Sequence, residues 1–124
     1  SLYSLYSNRY NANMSNEKAK RLLARRKELI DEMAALSHAF YGTWYERFST
    51  CSRPNCRCHQ GELHGPRYYV VVHRAGRQIQ KYIPIGLKDE VLKGMDQGRR
   101  VREILDEITD INLELIKERA YVDS

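Results

Sequence analysis

The chain has 124 residues, 30% of them charged, a net charge of +5 and a negative mean hydropathy. That size suits one lean domain, no apolar run approaches the ~20 residues of a membrane span, and the Tyr-, Ser- and Asn-rich start lacks the apolar core of a signal peptide. These features argue against a membrane-spanning helix, and a cytoplasmic, reducing setting is expected, where three crowded cysteines do not read as a disulfide framework.

Residues 1–13, SLYSLYSNRYNAN, repeat SLY in tandem, carry no acid and build no period; they read as a flexible leader or tag ahead of Met14. A first helix is expected over 14–41. Ser15 or Asn16 is placed to cap it, and Leu22, Leu29, Met33, Leu36 and Phe40 recur as one apolar stripe. Gly42 is placed to end it. Arg25-Arg26-Lys27 falls mostly off the stripe and reads as a solvated face, and His38 beside the stripe reads as core.

Residues 42–86 should form the central unit. Thr43 to Ser49 is β-branched and aromatic, a short strand leading into TCSRPNCRCHQGELHGPRYY from Thr50 to Tyr69. Cys51, Cys56 and Cys58 lie within eight positions, and thiolates this close most simply share a metal. Zn2+ in closed sites takes four ligands, and three thiolates with one imidazole is a standard set. His64, beyond the hinge at Gly61, is the expected fourth ligand, and His59 is the alternative. Arg53-Pro54-Asn55 reads as a turn between thiolates, and neighbouring arginines should favour the deprotonated sulfurs. Four protein ligands leave no open position, so such a zinc would be structural.

After this knuckle, Arg67 to His73 gives the strongest strand signal, Arg74-Ala75-Gly76-Arg77 a tight turn, and Gln78 to Ile85 a return strand that Pro84 places at an edge or end. Three antiparallel strands are about the minimum that is stable without help.

Residues 87–124 read as a second helix, with a break expected near Gly94 and Gly98. Val101, Ile104, Ile108, Ile111 and Leu115 form a heptad seam that Val122 would continue, and Leu105, Leu113 and Ile116 widen the apolar surface. Its partner is either the first helix running antiparallel, or another protein or second copy. The fold class expected is α+β: an antiparallel, coiled-coil-like helical hairpin carrying the zinc knuckle and three-stranded sheet at its tip, with 14–124 a single domain.

CSRPNCRC followed by GELHGPRYY resembles an uncharacterised prokaryotic zinc-knuckle family, a domain of unknown function. Its members show Cys-Gly-Lys-Pro-x-Cys-x-Cys, then Gly-Glu-x-His-Gly-Pro, then a hairpin ending in Tyr-(Val/Ile)-Pro. The matching positions here are Cys51, Pro54, Cys56, Cys58, Gly61, Glu62, His64, Gly65, Pro66, Tyr68, Tyr69, Tyr82, Ile83 and Pro84, with Ser52 where glycine is commoner. The resemblance runs from about Gly42 to Lys117. It implies a zinc-binding module associated with transposases and other mobile-element genes, and it supplies no activity.

Residues 42–86 carry seven Arg/Lys against two acids, whereas 87–124 carry seven against ten. A basic sheet suggests a nucleic-acid partner, DNA or RNA, met by Arg53, Arg57, Arg67, Arg74, Arg77 and Lys81, with Tyr68 and Tyr82 stacking on bases. The alternative is a coiled-coil interaction or oligomerisation module with a purely structural zinc. No nucleophile–base order, phosphate-cradling loop or carboxylate pair reads as catalytic.

Overall fold

The computed structural model describes residues 2–122, with side chains from Asn16 onward, and its backbone divides into two units, Ser1–Ser37 with Arg100–Ser124, and His38–Arg99. Two helices, α1 (Leu2–Ala34) and α2 (Lys88–Lys117), and three strands, β1 (Thr43–Ser49), β2 (His64–Arg74) and β3 (Arg77–Ile83), give the α+β class expected.

In the helical unit, α1 meets the part of α2 beyond Arg100. Ala19 and Leu29 are buried with Ile104, Ile108, Ile111 and Leu115, and Leu22, Leu23, Met33, Leu36 and Ala120 pack around them. Fully burying a side chain the size of leucine contributes about 1.5–3 kcal/mol, so this seam supplies most of the unit's drive to fold. The heptad positions of α2 are therefore spent inside the chain. Lys18 pairs with Glu114, Arg25 with Glu107 at 2.6 Å, and Glu32 with Arg100. Each pair lies seven residues further along α1 and seven earlier along α2, which makes the helices antiparallel. On the other flank Arg26 donates to Asn112 Oδ1 at 2.8 Å.

Several boundaries differ from the sequence reading. α1 is already helical before Ser15, so Ser15 and Asn16 do not cap it; the leader reading of residues 1–13 concerns side chains outside those described. α1 stops at Ala34, well short of Gly42, and Leu36 reaches the core from the turn that follows. α2 stops at Lys117 in a Schellman-type end: Arg119 takes a left-handed φ of 57° and the Ala120 N–H donates to Leu115 O at 2.8 Å. The seam ends there too, for Val122 is 84% exposed.

In the other unit the sheet is an antiparallel meander in the order β1-β2-β3. Ala75 and Gly76, with φ of 52° and 74°, form a two-residue hairpin turn that leaves Arg74 opposite Arg77. β2 begins three residues earlier than expected, and β3 ends at Ile83 because Pro84 starts a 3-10 turn over Ile85–Leu87. Register and alternation sort the side chains. Trp44, Tyr68, Val70, Val72, Ile79 and Ile83 share one face; Tyr45, Arg47, Arg67, Tyr69, Gln80 and Tyr82 share the other. On the first face Trp44 stacks on Tyr68 at 5.2 Å, and Lys88 from the start of α2 lies over the same ring at 4.8 Å. Leu92 and Met95 line a cleft with Trp44, so the first turns of α2 lie against this face.

The expected break at Gly94 and Gly98 does not occur; α2 runs through both. These glycines instead let the backbone of residues 38–40 cross the helix. Phe40 N–H donates to Gly94 O at 3.3 Å, and a Cβ at Gly98 would lie 1.9 Å from Phe40 O. Phe40 thus belongs to this unit, not to the stripe of α1, and His38 sits in the crossing segment, its N–H on Gln97 Oε1 at 3.1 Å.

Two outcomes follow from this packing. Alanine at an open helical position gains about 1 kcal/mol over glycine; Gly98→Ala is expected instead to lower the melting temperature by about 5 °C or more, through the forced backbone shift, and a rise would refute the close crossing. The second concerns pH. Hydrogen bonds from Arg100, Arg25 and Lys18 hold Glu32, Glu107 and Glu114 below the ordinary carboxylate pKa. A depressed folded-state pKa adds stability that is present above the unfolded value, about 4.3, and is lost as pH falls through the folded one. The native chain should melt above a Glu32→Gln/Glu107→Gln/Glu114→Gln variant at neutral pH, with the gap closing below about pH 4. Both proteins keep the same cysteines, so a gap that does not change with pH would show that the ladder contributes nothing.

Candidate metal centre

The end of β1 and the start of β2 hold the cluster together. Ser49 pairs with His64, so Cys51 leaves the sheet beside the residue that re-enters it. Between them the chain makes two tight reversals. Cys56 N–H donates to Arg53 O at 3.3 Å, closing the turn through Pro54 and Asn55. A 3-10 turn over Arg57–Gln60 follows, with His59 N–H on Cys56 O at 3.1 Å, and Gly61 ends it at a φ of 107°. That left-handed conformation is the one glycine adopts at no steric cost, and it sends the chain back through Glu62 and Leu63 to His64.

The result is a set of four donors, Cys51, Cys56, Cys58 and His64, whose ligand atoms all lie within 4.8 Å of one another. His64 Nε2 is 3.1 Å from Cys56 Sγ, and Cys58 Sγ is 3.6 Å from Cys51 Sγ. A tetrahedral ion with bonds of about 2.3 Å to sulfur and 2.0 Å to nitrogen separates its ligands by roughly 3.5–3.8 Å, so small rotations would close the set on an ion. All three cysteines are free thiols. The residues fit a metal ion and can hold one.

The protein environment separates the thiols. Hydrogen bonding from Cys58, its backbone first, lowers Cys56 to about 6, while burial raises Cys58. Neighbouring arginines, expected to provide this lowering, do not. Cys51 N–H donates to Cys58 Sγ at 3.3 Å, so the buried sulfur has a backbone donor. His59, the alternative ligand, is exposed on the 3-10 turn and outside the cluster. A cleft of about 400 Å³ opens beside the donors, lined by Ser49, Thr50, Cys51, Arg53, Cys56, His64 and Arg67.

The residues expected to meet nucleic acid are dispersed. Arg53 and Arg67 line the cleft, and Arg57 lies 3.9 Å from Glu62, both exposed. Arg74 and Arg77 face each other at the hairpin end. Lys81, opposite Val70, falls on the side that faces α2. Tyr68 is only 7% exposed and packs on Trp44 and Lys88, so it belongs to the core and cannot stack on a base. Tyr82 is 58% exposed. Two residues of the same face, Tyr45 and Arg47, went unselected; strand alternation from Tyr69 across the ladder would have found them once the register was known.

A family model described as a domain of unknown function, DUF6788, matches residues 19–93, more than half of the chain, and the chain belongs to that family. The match takes in the second half of α1 and stops early in α2, whereas the resemblance read from the motifs was placed over 42–117. Neither the curated proteins nor the solved structures give a match. No described helix is long and apolar enough to cross a membrane.

Metal analysis of the purified chain should find one divalent ion per chain. Cys58→Ser should lose it and His59→Ala keep it. Because an ion held only by the folded state stabilises it by about 4 kcal/mol at a thousand times its Kd, chelation should lower the melting temperature by about 10 °C or more. Equal metal content in the two variants would sink the assignment.

Proposed function

We propose that the chain is a zinc-stabilised nucleic-acid-binding module. Three thiolates and an imidazole within 4.8 Å of one another favour zinc over harder cations, and four protein donors leave the ion a structural part. The observation that carries the nucleic-acid reading is the group of unpaired cations on the sheet and its cysteine loop. In the helical unit Lys18, Arg25 and Arg100 are each committed to a carboxylate across the helix pair. In the sheet unit, among the described residues, no carboxylate lies within ion-pair distance of Arg47, Arg53, Arg67, Arg74, Arg77 or Lys81. Cations that no acid of the fold neutralises are free to meet phosphates. An accessory role beside transposases, which the motif resemblance implies, suits such a module.

A second reading has its own observation. Leu105, Leu113 and Ile116 of α2 are each more than half exposed, although the heptad seam itself is internal. They favour self-association of the helical unit.

Titration of a labelled oligonucleotide with the intact, metal-loaded chain separates the two. On the first reading affinity falls by orders of magnitude between about 50 and 200 mM salt, as counterions released by several phosphate contacts require, and Arg53→Gln/Arg67→Gln flattens the salt slope. A stable dimer by light scattering, with no oligonucleotide bound at any salt, would favour the second reading and exclude the first.

A further inference from the structure

Resting on that reading, we propose that the ligand is single-stranded nucleic acid, laid across the sheet face that carries Tyr45, Tyr69 and Tyr82, with a phosphate held in the cleft beside the cysteine–histidine cluster.

The register places the three tyrosines in one row. Tyr45 of β1 pairs with Tyr69 of β2, which pairs with Tyr82 of β3. The rings therefore span the whole width of the sheet at strand spacings of about 4.8 Å. Tyr69 is half-buried and meets Tyr82 edge-on at 5.7 Å, whereas the outer two are 45% and 58% exposed. Arg47 lies over the Tyr69 ring at 4.8 Å and donates to Gln80 Oε1 at 3.0 Å, so its guanidinium is held on the face. This arrangement of aromatic rings and a planar cation offers surfaces on which unpaired bases stack, with little dependence on sequence.

The charge of the face commits it to an anion. Besides the tyrosines, Arg47 and Gln80 it holds Thr43, Arg67, Val71, His73 and Gln78, with no acid among them; Glu46 falls on the opposite side. Arg67 is the link to the cleft. It sits opposite Arg47 in the next row of the sheet and also lines the cleft with Arg53, Ser49 and Thr50. Donors thus continue from the stacking row to a polar recess where a phosphate can sit.

The same geometry selects single strands. In a duplex the ring faces of the bases are stacked on one another and are not open to side-chain rings, whereas unpaired bases offer them. A duplex would meet only the arginines here and leave the exposed tyrosines unused.

The test is fluorescence anisotropy with the intact, metal-loaded chain against oligo(dT) and oligo(U) of about 12 nucleotides, within the usual site size for one small sheet domain, and a DNA duplex of the same length. Single strands should bind at least about ten-fold tighter than duplex. Tyr45→Ala/Tyr82→Ala should weaken single-strand binding about ten-fold or more, as the loss of one or two stacked bases requires, and leave duplex binding unchanged. Tyr45→Phe/Tyr82→Phe should retain single-strand binding, which shows that the rings matter. The oligo(dT) and oligo(U) arms distinguish DNA from RNA, and preference for either supports the proposal. Equal binding of duplex and single strands, or tyrosine variants with unchanged affinity and unchanged metal content, overturns the single-strand platform while nucleic-acid binding stands. Binding of none of the three probes overturns both.

Discussion

The cross-strand pairing of Ser49 with His64 is the contact on which the sheet unit depends. It brings the exit of β1 and the entry of β2 side by side, and everything between them, fourteen residues from Thr50 to Leu63, becomes a loop closed at its base. A loop of that length costs conformational entropy that its own residues do little to offset: among residues 50–63 only Cys58 is buried. The remaining buried side chains of the unit are Tyr68, Val70, Val71 and Met95. A sheet with so small an interior needs a further source of stability, and four donors converging at the loop's base are placed to provide it through an ion.

Charge is handled differently in the two units, and the reason is geometric. Heptad spacing puts one cation or anion per two turns at the edge of the helical seam, within reach of its opposite number. The strands offer no such partner: opposite Arg47 stands Arg67, and opposite Arg74 stands Arg77. Like charges directly across a ladder are unfavourable. Their presence twice in one small sheet is a cost to folding that a bound polyanion would remove. Basic residues at the helical seam are thus tied into the fold, whereas Arg47, Arg67, Arg74 and Arg77 of the sheet are unspent.

How much of this was legible in the sequence depends on whether the signal was local. Cysteine spacing, the hinge at Gly61 and His64 were readable because the cluster is built almost wholly within one short loop, and the heptad seam because helix periodicity repeats. The hairpin was readable from Ala75-Gly76 between two apolar runs. Gly94 and Gly98 were misread as helix breakers, because their purpose lies in a segment more than fifty residues away, the backbone of His38 to Phe40. Tyr68 was read as free to stack, and is instead buried, for a related reason. In β2 the run Tyr68 to Val72 is apolar or aromatic at every position, so alternation gives no sign of which face is covered. Only the packing of Trp44 and Lys88 decides it.

That ambiguity gives the cluster a second consequence. Side chains in a strand alternate with a period of two, so a slip of one residue between β1 and β2 would carry Tyr69 and Arg67 to the side now held by Tyr68 and Val70. Hydrophobic pattern alone guards weakly against this, since both faces of β2 are rich in aromatic and β-branched residues. The irregularity between Arg47 and Ser49 lies at the same end of the ladder as the cluster. An ion shared by Cys51, just beyond β1, and His64, the first residue of β2, ties the two strands together at that end and admits only one offset. On this argument a bound metal would do more than hold a small sheet together. It would determine which face carries the tyrosine row and the arginines beside it, so its loss would disturb the proposed ligand binding even where the strands survive.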